Sequence, residues 1–479
     1  MHRRGAPESP LVDAGADACD AYLDSHQSRF IAEMVELLSI PSVSALPQHG
    51  ADVDRAAQWL EQRLLRAGLQ NAATLRAGEF PVVYADWLHA PGAPTVLVYG
   101  HFDVQPAPPS QAWTSPPFEP AIRDGRVYAR GATDDKGNLL VPILAIEAML
   151  AERGSLPVNI KFLLEGEEEI LSPDMPAFVR AHRERFACDL VVSADGWQWS
   201  ESEGDLRVGL RGVCALEVTA YGPRQDLHSG SHGGAVANPL HGLVAALAKL
   251  HDDAGRILVP GFYEDVRELD AEERQALAAV PFDEGAYRAR LGVTELVGEP
   301  GYSTRERIGA RPTIEINGIV GGHDGPGVRT VVPAHATAKL TCRLVPDQQP
   351  TIVAECVRRF LLAQCPPGLR FEVSVLPNSA EPYGMPADHP GNRAARNVLI
   401  GLHGREPYYT RSGGSIPILA LFKRELRAYT VIFGFGLPDE GMHGPDEFLR
   451  LSSFRLGQGA YVALLDQLAH CMEADQTHA

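Results

Sequence analysis

A histidine and an aspartate two positions apart follow a short apolar segment of this sequence. Residues 95–99 are rich in apolar and β-branched residues and are followed by Gly100, a composition typical of a buried strand. His101 and Asp103 come directly after this segment. Because side chains at positions i and i+2 of an extended chain point the same way, Asp103 can hold the His101 ring while that ring binds a metal. A polar pair without a metal is the alternative for this segment taken alone.

Acidic residues follow three later segments in a similar manner. They are Asp134 with Asp135, Glu168 with Glu169, and Asp195. In an α/β sheet, residues just beyond the carboxyl ends of parallel strands converge on one edge, where such folds bind ligands. Carboxylates packed closely would repel one another, so we expect one or more divalent cations among them.

Five short sequences occur in an order that resembles a known enzyme family. They are GHFDVQP at 100–106, ARGATDDKG at 129–137, EGEEE at 165–169, the single acid Asp195, and GMHG at 441–444 around His443. With this set the chain resembles the dinuclear-zinc aminoacylase/carboxypeptidase family of metallopeptidases. Within that family it is most similar to the branch of cytosolic non-specific dipeptidases and carnosinases. The resemblance extends from about residue 30 to about residue 469.

The resemblance implies a site for two divalent metal ions. Asp134 would bind both ions and join the next residue through a cis peptide bond. His101 and Asp195 would complete the ligands of one ion, and Glu169 and His443 those of the other. Zinc is the expected metal, and manganese and cobalt are alternatives because such a site can hold all three.

The resemblance also implies an acid–base role for Glu168, which is left without a metal. Beside the attacking water it would take a proton and later return it to the leaving amine. Asp103 would act with it in the catalytic set, behind His101. Glu167 or Glu165 is the alternative for the base.

Four further residues match substrate positions of the family. His228, in the sequence DLHSG, would reach the partner subunit's site and stabilise the oxyanion, with His232 as its rival. Thr330 and Arg343 would receive the substrate carboxylate, for which the planar guanidinium is suited. Ser415, in the sequence RSGGSIP, would be a substrate donor.

Two positions depart from the branch. Ser412 stands where the branch has an acid, and Asn378 stands at about the place of a histidine. Both changes lie where the termini of the substrate are expected, so they put the carnosinase preference in doubt and leave hydrolysis intact. Glu440 or Asp195 could replace the missing acid opposite a free α-amino group.

Composition limits the partners and the compartment. The chain has 43 Lys and Arg against 61 Asp and Glu, a net charge of −18, which argues against nucleic acid or an anionic membrane as partner. Its seven cysteines form no CxxC pair, and most lie in apolar segments, as in a reduced, cytoplasmic protein. We expect neither a signal peptide nor a membrane span.

Sequence patterning predicts two domains in 479 residues. Residues 1–208 and 382–479 are expected to form an α/β catalytic domain with a mixed, mostly parallel sheet flanked by helices, and 1–20 a loose arm. Residues 209–381 alternate apolar and polar positions, which predicts a smaller α+β domain with an antiparallel sheet. The resemblance implies that this second domain is a lid through which a homodimer forms.

Three functions are consistent with these features. The first is a di-metal dipeptidase that acts on short peptides through activated water, with Glu168 as base. The second is an N-acyl amino acid deacylase or related amidohydrolase, and the third is a non-catalytic dimeric binding protein. The complete ligand set argues against the third. Asp195 argues against the second, because family members with Asp there tend to be dipeptidases or aminopeptidases, and those with Glu tend to be deacylases or carboxypeptidases.

Overall fold

The computed structural model describes residues 14–107, 112–377, 379–414 and 416–476. The described residues form two compact units. The first contains the chain through Leu206, then Pro386–Pro407, then the chain from Leu421 onward. The second contains Arg207–Met385 and Tyr408–Ala420. Sequence patterning does not separate this last segment from the final part of the chain.

Helices make up much of both units. In chain order they are α1 (Ala14–Leu38), α2 (Gly50–Arg66), α3 (Lys136–Arg153), α4 (Met175–Ala181), α5 (Arg183–Phe186), α6 (Ser229–His232), α7 (Pro239–Leu247), α8 (Ala271–Ala279), α9 (Glu284–Leu291), α10 (Thr304–Ala310), α11 (Pro350–Ala363), α12 (Pro390–His403), α13 (Pro417–Leu426) and α14 (Leu451–Gln476).

The strands range from two to ten residues in length. In chain order they are β1 (Gln70–Ala77), β2 (Phe80–Trp87), β3 (Thr95–His101), β4 (Ala121–Arg123), β5 (Arg126–Tyr128), β6 (Asn159–Glu165), β7 (Leu190–Ser193), β8 (Asp205–Leu210), β9 (Gly212–Tyr221), β10 (Leu227–His228), β11 (Thr313–Gly321), β12 (Val331–Val332), β13 (His335–Leu344), β14 (Arg370–Val375), β15 (Tyr383–Gly384), β16 (Tyr408–Ser412), β17 (Thr430–Ile432) and β18 (Phe448–Arg450).

A six-stranded mixed sheet is the centre of the first unit. Its order is β1-β2-β6-β3-β7-β17, with parallel pairing from β6 through β17 and antiparallel pairing from β1 to β6. Strands β3, β6 and β7 are almost wholly buried, as their continuous apolar sequences predict for strands covered on both faces. Helix α3 packs against β3 and is buried along most of its length. The predicted mixed sheet flanked by helices is confirmed.

A four-stranded antiparallel sheet is the centre of the second unit. Its order is β11-β13-β9-β14, and its buried face packs on α7 and α11. Residues of β9 and β13 alternate between this core and the opposite face, where the hydroxyls of Thr219 and Thr337 lie 2.9 Å apart. The alternation predicted for this region is the pattern observed. Among the described residues, no helix is long and apolar enough to span a lipid bilayer.

Candidate metal centre

Three neighbouring parallel strands bring the predicted ligands to one sheet edge. Strand β3 ends at His101, which pairs in register with Glu165 at the end of β6. Strand β7, on the other side of β3, ends just before Asp195. The segments that follow these strands therefore start at the same edge of the sheet, as parallel pairing requires.

Asp134 lies in the loop that leads into α3. The Asp134–Asp135 peptide bond is cis, as the family resemblance implied. The backbone of this loop packs tightly against Gly137 at the start of α3. A Cβ on Gly137 would lie only 2.1 Å from the carbonyl oxygen of Ala132. Only glycine fits at this position of the first helical turn.

The two carboxylate oxygens of Asp134 face two different histidines. Oδ1 lies 3.0 Å from Nε2 of His101, and Oδ2 lies 2.8 Å from Nε2 of His443. The same His443 nitrogen lies 3.4 Å from Oε2 of Glu169. Ligand atoms of His101, Asp134 and Glu169 all lie within 4.8 Å of one another. A carboxylate shared in this way is the arrangement that a bridging metal ligand needs.

Protons on the histidines balance the negative charges of the carboxylates in this cluster. Burial opposes it, but hydrogen bonds to His101 and His443 lower the pKa of Asp134. Hydrogen bonds to Asp134 and Glu169 raise the pKa of His443 to about 10. Imidazole nitrogens and carboxylate oxygens are donors that zinc and manganese accept, so the residues present fit a divalent cation in place of these protons.

Asp103 supports both His101 and the glutamate segment. Nδ1 of His101 donates to the backbone carbonyl of Asp103 at 3.1 Å, and one carboxylate oxygen lies 3.5 Å from the same nitrogen. The Asp103 carboxylate accepts the N–H groups of Glu168 and Glu169, each at 3.1 Å, and the hydroxyl of Ser44 at 2.6 Å. The ring is therefore held chiefly by the carbonyl, while the carboxylate orients the two glutamates.

Three nearby glutamates differ in what their side chains contact. Glu165 accepts hydrogen bonds from the hydroxyls of Tyr99 and Ser172, and Glu167 accepts the N–H of Asp174 at 3.0 Å. Both are buried, whereas Glu168 is partly exposed. This favours Glu168 as the group that meets a water and a substrate.

A raised pKa is shared by all three glutamates, because burial raises the pKa of Glu165 to about 7 and that of Glu167 to about 8. Burial, and then the carboxylates of Asp195 and Glu169, raise the pKa of Glu168, although His101 opposes the shift. Asp195, which follows β7, is therefore one of the charges that act on Glu168. A raised pKa suits a carboxylate that must hold a proton between two steps.

Gln105 holds the Glu169 carboxylate, including the oxygen that faces His443. Its backbone N–H donates to Oε1 of Glu169 at 3.1 Å, and its side-chain amide donates to Oε2 at 2.7 Å. Sequence reasoning did not select Gln105, although it lies within GHFDVQP, because a single amide in a loop carries no signal of its own.

The other predicted site residues lie in the second unit. His228 lies in β10 and Thr330 directly precedes β12, and both are exposed; the N–H of Ser229 donates to the carbonyl of Thr330 at 3.0 Å. Nδ1 of His228 accepts the N–H of Gly230 at 3.0 Å. Ser415 lies outside the described residues, as does Asn378.

Arg343 is accompanied by a second arginine that sequence reasoning missed. Arg211 precedes β9, and burial and then the charge of Arg343 lower its pKa to about 10. Its backbone N–H donates to the carbonyl of Ser412 at 3.0 Å. A Cβ on Gly413 would lie 2.7 Å from Nη2 of Arg211, so the glycine-rich loop passes directly over this guanidinium.

The interpretation of Glu440 as a partner for a substrate amine is wrong. Its side chain is fully buried and accepts hydrogen bonds from the Thr133 hydroxyl at 2.8 Å, the Leu437 N–H at 3.0 Å and the backbone and side chain of Arg450. With its oxygens engaged in this way, Glu440 supports the loop and is not available to a ligand.

Comparisons with known proteins agree on a family. The sequence matches the profile of Peptidase family M20/M25/M40 over residues 97–467. It is 32% identical to the Beta-Ala-His dipeptidase of Homo sapiens over 469 residues, which cover 94% of this chain and 92% of that protein. It is 30% identical to the Cys-Gly metallodipeptidase of Schizosaccharomyces pombe over 464 residues, 93% of this chain and 97% of that protein. The crystal structure of an M20 family metallo-carboxypeptidase from Sulfolobus solfataricus is similar with a TM-score of 0.79 and 30% identity, covering 92% of this chain and 99% of that one.

Proposed function

The chain belongs to peptidase family M20/M25/M40, and on that premise we propose that it is a metal-dependent hydrolase of dipeptides and short peptides. The observation that carries this proposal is the shared carboxylate of Asp134 between His101 and His443. The names of the two curated relatives, a Beta-Ala-His dipeptidase and a Cys-Gly metallodipeptidase, support the dipeptide as substrate class.

Five residues would hold two metal ions. Asp134 would bind both, His101 and Asp195 would complete one set of ligands, and Glu169 and His443 the other. Zinc is the metal we propose, with manganese or cobalt as alternatives. When bound, the ions would polarise the scissile carbonyl and lower the pKa of a water.

Glu168 moves the proton in this proposal. Its carboxylate accepts a proton from the attacking water and donates it to the nitrogen of the leaving amine, so the amide bond breaks without releasing a strongly basic anion. Glu168 suits this role because, unlike Glu165 and Glu167, it is partly exposed and can meet both the water and the leaving amine. Asp103 keeps the Glu168 backbone in place through its N–H group.

The second unit would bind the ends of the substrate. Arg343 would pair with the carboxylate terminus, beside Thr330, and His228 would donate to the oxyanion in the site of a partner subunit. Ser415, in the loop after Gly414, would be a further donor. We assign residues 209–381 the role of lid.

A homodimer through the second unit is supported by strand β11. It lies at the end of its sheet, with β13 as its partner among the described strands. Ile316, Ile319 and Val320 of this strand are exposed. An edge strand with exposed apolar side chains is a surface that a second copy can cover. None of the seven cysteines, all within the described part of the chain, forms a disulfide, which supports a reducing, cytoplasmic setting.

A substrate panel tests the proposal. The protein, assayed with added zinc and with added manganese, should hydrolyse unblocked dipeptides with a higher kcat/KM than N-acetyl amino acids. A preference for N-acetyl amino acids would make it a deacylase. No hydrolysis of either class by protein that contains metal would support a binding protein.

A further inference from the structure

A buried carboxylate outside the proposed ligand set holds the loop that carries Asp134. Oε1 of Glu447 accepts the backbone N–H groups of Thr133 and Asp134 at 3.1 and 3.2 Å, and Oε2 accepts that of Gly131 at 3.1 Å. Residues 129–135 form turns and bends, so these N–H groups have no helix or strand partners. Glu447 is fully buried and replaces the missing partners.

Arg130 connects the same carboxylate to the backbone of His443. Its Nη1 donates to Oε2 of Glu447 at 2.7 Å, and its Nη2 donates to the carbonyl oxygen of His443 at 3.1 Å. Arg130 is buried. His443 has a φ of 61°, in the left-handed region that residues other than glycine rarely adopt, so its backbone needs external support. Arg130 supplies that support.

The outer side of the His443 loop is fastened as well. Asp446, with a φ of 54°, accepts the backbone N–H of Thr114 at 2.8 Å and its hydroxyl at 2.7 Å. The Arg130 guanidinium carbon lies 5.3 Å from the ring centre of Trp113, the neighbouring residue. The loop is therefore held both by Arg130, at His443, and by Thr114, at Asp446, and Arg130 also contacts the residue next to Thr114.

We infer, on the basis of the proposed function, that Glu447 and Arg130 are positioning residues that set the spacing of Asp134 and His443 before a metal binds. Neither belongs to the proposed ligand set. Glu447 fixes the backbone of the shared carboxylate, Arg130 fixes the backbone of the histidine, and their ion pair joins the two. Outer groups that orient metal ligands typically contribute about 10–100-fold in metal affinity.

The direct test is the zinc affinity of Glu447→Gln. This substitution keeps the size of the side chain but replaces one acceptor oxygen by an NH₂ group. That group cannot accept hydrogen bonds from the backbone N–H groups or from the Arg130 guanidinium. Competition of the metal-free protein with a chromophoric chelator should show zinc affinity lowered about 10–100-fold. The matched control is Glu147→Gln, which removes a buried carboxylate that pairs with Arg29 and Arg63 among the helices of the same unit. The control should retain wild-type zinc affinity.

Arg130→Lys provides a second, milder variant. A lysine keeps the positive charge, but its single ammonium cannot reproduce the fork that reaches both Glu447 and His443. Thermal unfolding of the metal-free variants shows which of them fold. If Glu447→Gln does not fold, the zinc affinity of Arg130→Lys tests the inference instead. Wild-type zinc affinity in the folded variants would overturn the inference while leaving the proposed function in place. A wild-type protein that binds no zinc or manganese would refute the proposed function itself.

Discussion

The two units support their proposed site residues in opposite ways. In the first, His101 and Asp134 are buried, and the half-exposed His443 is held by its contacts with the carboxylates of the cluster. In the second, His228 and Thr330 are exposed, with His228 in a ladder of two short strands and Thr330 directly before it. A metal site needs ligands held at fixed separations, whereas a group that meets a substrate must remain accessible. Substitutions in the first unit should therefore remove metal, and those in the second should reduce turnover or selectivity with metal retained.

The largest effect is expected for Asp134→Ala. Without the shared carboxylate both ions lose a ligand, so metal content should fall toward zero and activity by at least about 10⁴-fold. Elemental analysis together with a dipeptide assay measures both.

Asp135→Asn is the matched control for that change. Oδ2 of Asp135 accepts the backbone N–H of His101 at 3.2 Å, and the amide oxygen of an asparagine can accept the same hydrogen bond. This variant should keep its metals. Equal metal loss from Asp135→Asn and Asp134→Ala would contradict the assignment of the bridge to Asp134.

Glu168→Gln should separate proton transfer from metal binding. The amide keeps the shape of the side chain but cannot accept a proton, so kcat should fall about 10²–10⁴-fold with metal content unchanged. Glu167→Gln should have a much smaller effect, because the Glu167 side chain supports the N–H of Asp174. A larger loss of kcat in Glu167→Gln than in Glu168→Gln would assign the role of base to Glu167.

His228→Ala should lower kcat about 10²-fold without altering metal content or thermal stability, because the side chain is exposed. If His228 acts in the partner subunit's site, mixing this variant with inactive Glu168→Gln chains should restore part of the activity. The absence of such rescue after demonstrated subunit exchange would place His228 outside the partner's site.

The smallest effect concerns the two ends of the substrate. Ser412 replaces an acid of the branch and Glu440 is engaged elsewhere, whereas Arg343 is present beside Arg211. Amidation of a dipeptide's carboxyl terminus should therefore lower kcat/KM about 10–100-fold, and acetylation of its amino terminus less.

Arg343→Gln should abolish that difference, and Arg370→Gln, which changes an exposed arginine of the same unit, should not. If the C-terminal amide is cleaved as well as the free dipeptide while the N-acetyl dipeptide is inert, the enzyme recognises the amino terminus of its substrate instead.

Much of the first unit could be predicted because its chemistry follows its strands. His101 and Asp195 come after continuous apolar segments, and parallel pairing then leaves little choice about where they meet. The family resemblance added His443, which no periodicity indicates because it lies in a loop. The alternation along β9 and β13 likewise predicted the antiparallel sheet of the second unit.

The supporting residues could not be predicted in the same way. Glu447 and Gln105 are single polar residues in loops, and such residues are usually solvated, so only the folded chain shows their hydrogen bonds to the cluster. Glu440 shows the opposite error, because a loop glutamate near His443 was interpreted as a substrate group. Its partners come from three separate segments, and spacing along the chain does not reveal them.

A metal titration of the metal-free protein tests the central claim most directly. Hydrolysis of one unblocked dipeptide is followed while zinc or manganese is added in known amounts. The account predicts no turnover without metal, a rise as metal is added, and saturation at about two ions per chain, as a dinuclear site requires. Full activity in the rigorously metal-free protein, or metal bound at two ions per chain without peptide hydrolysis, would contradict it.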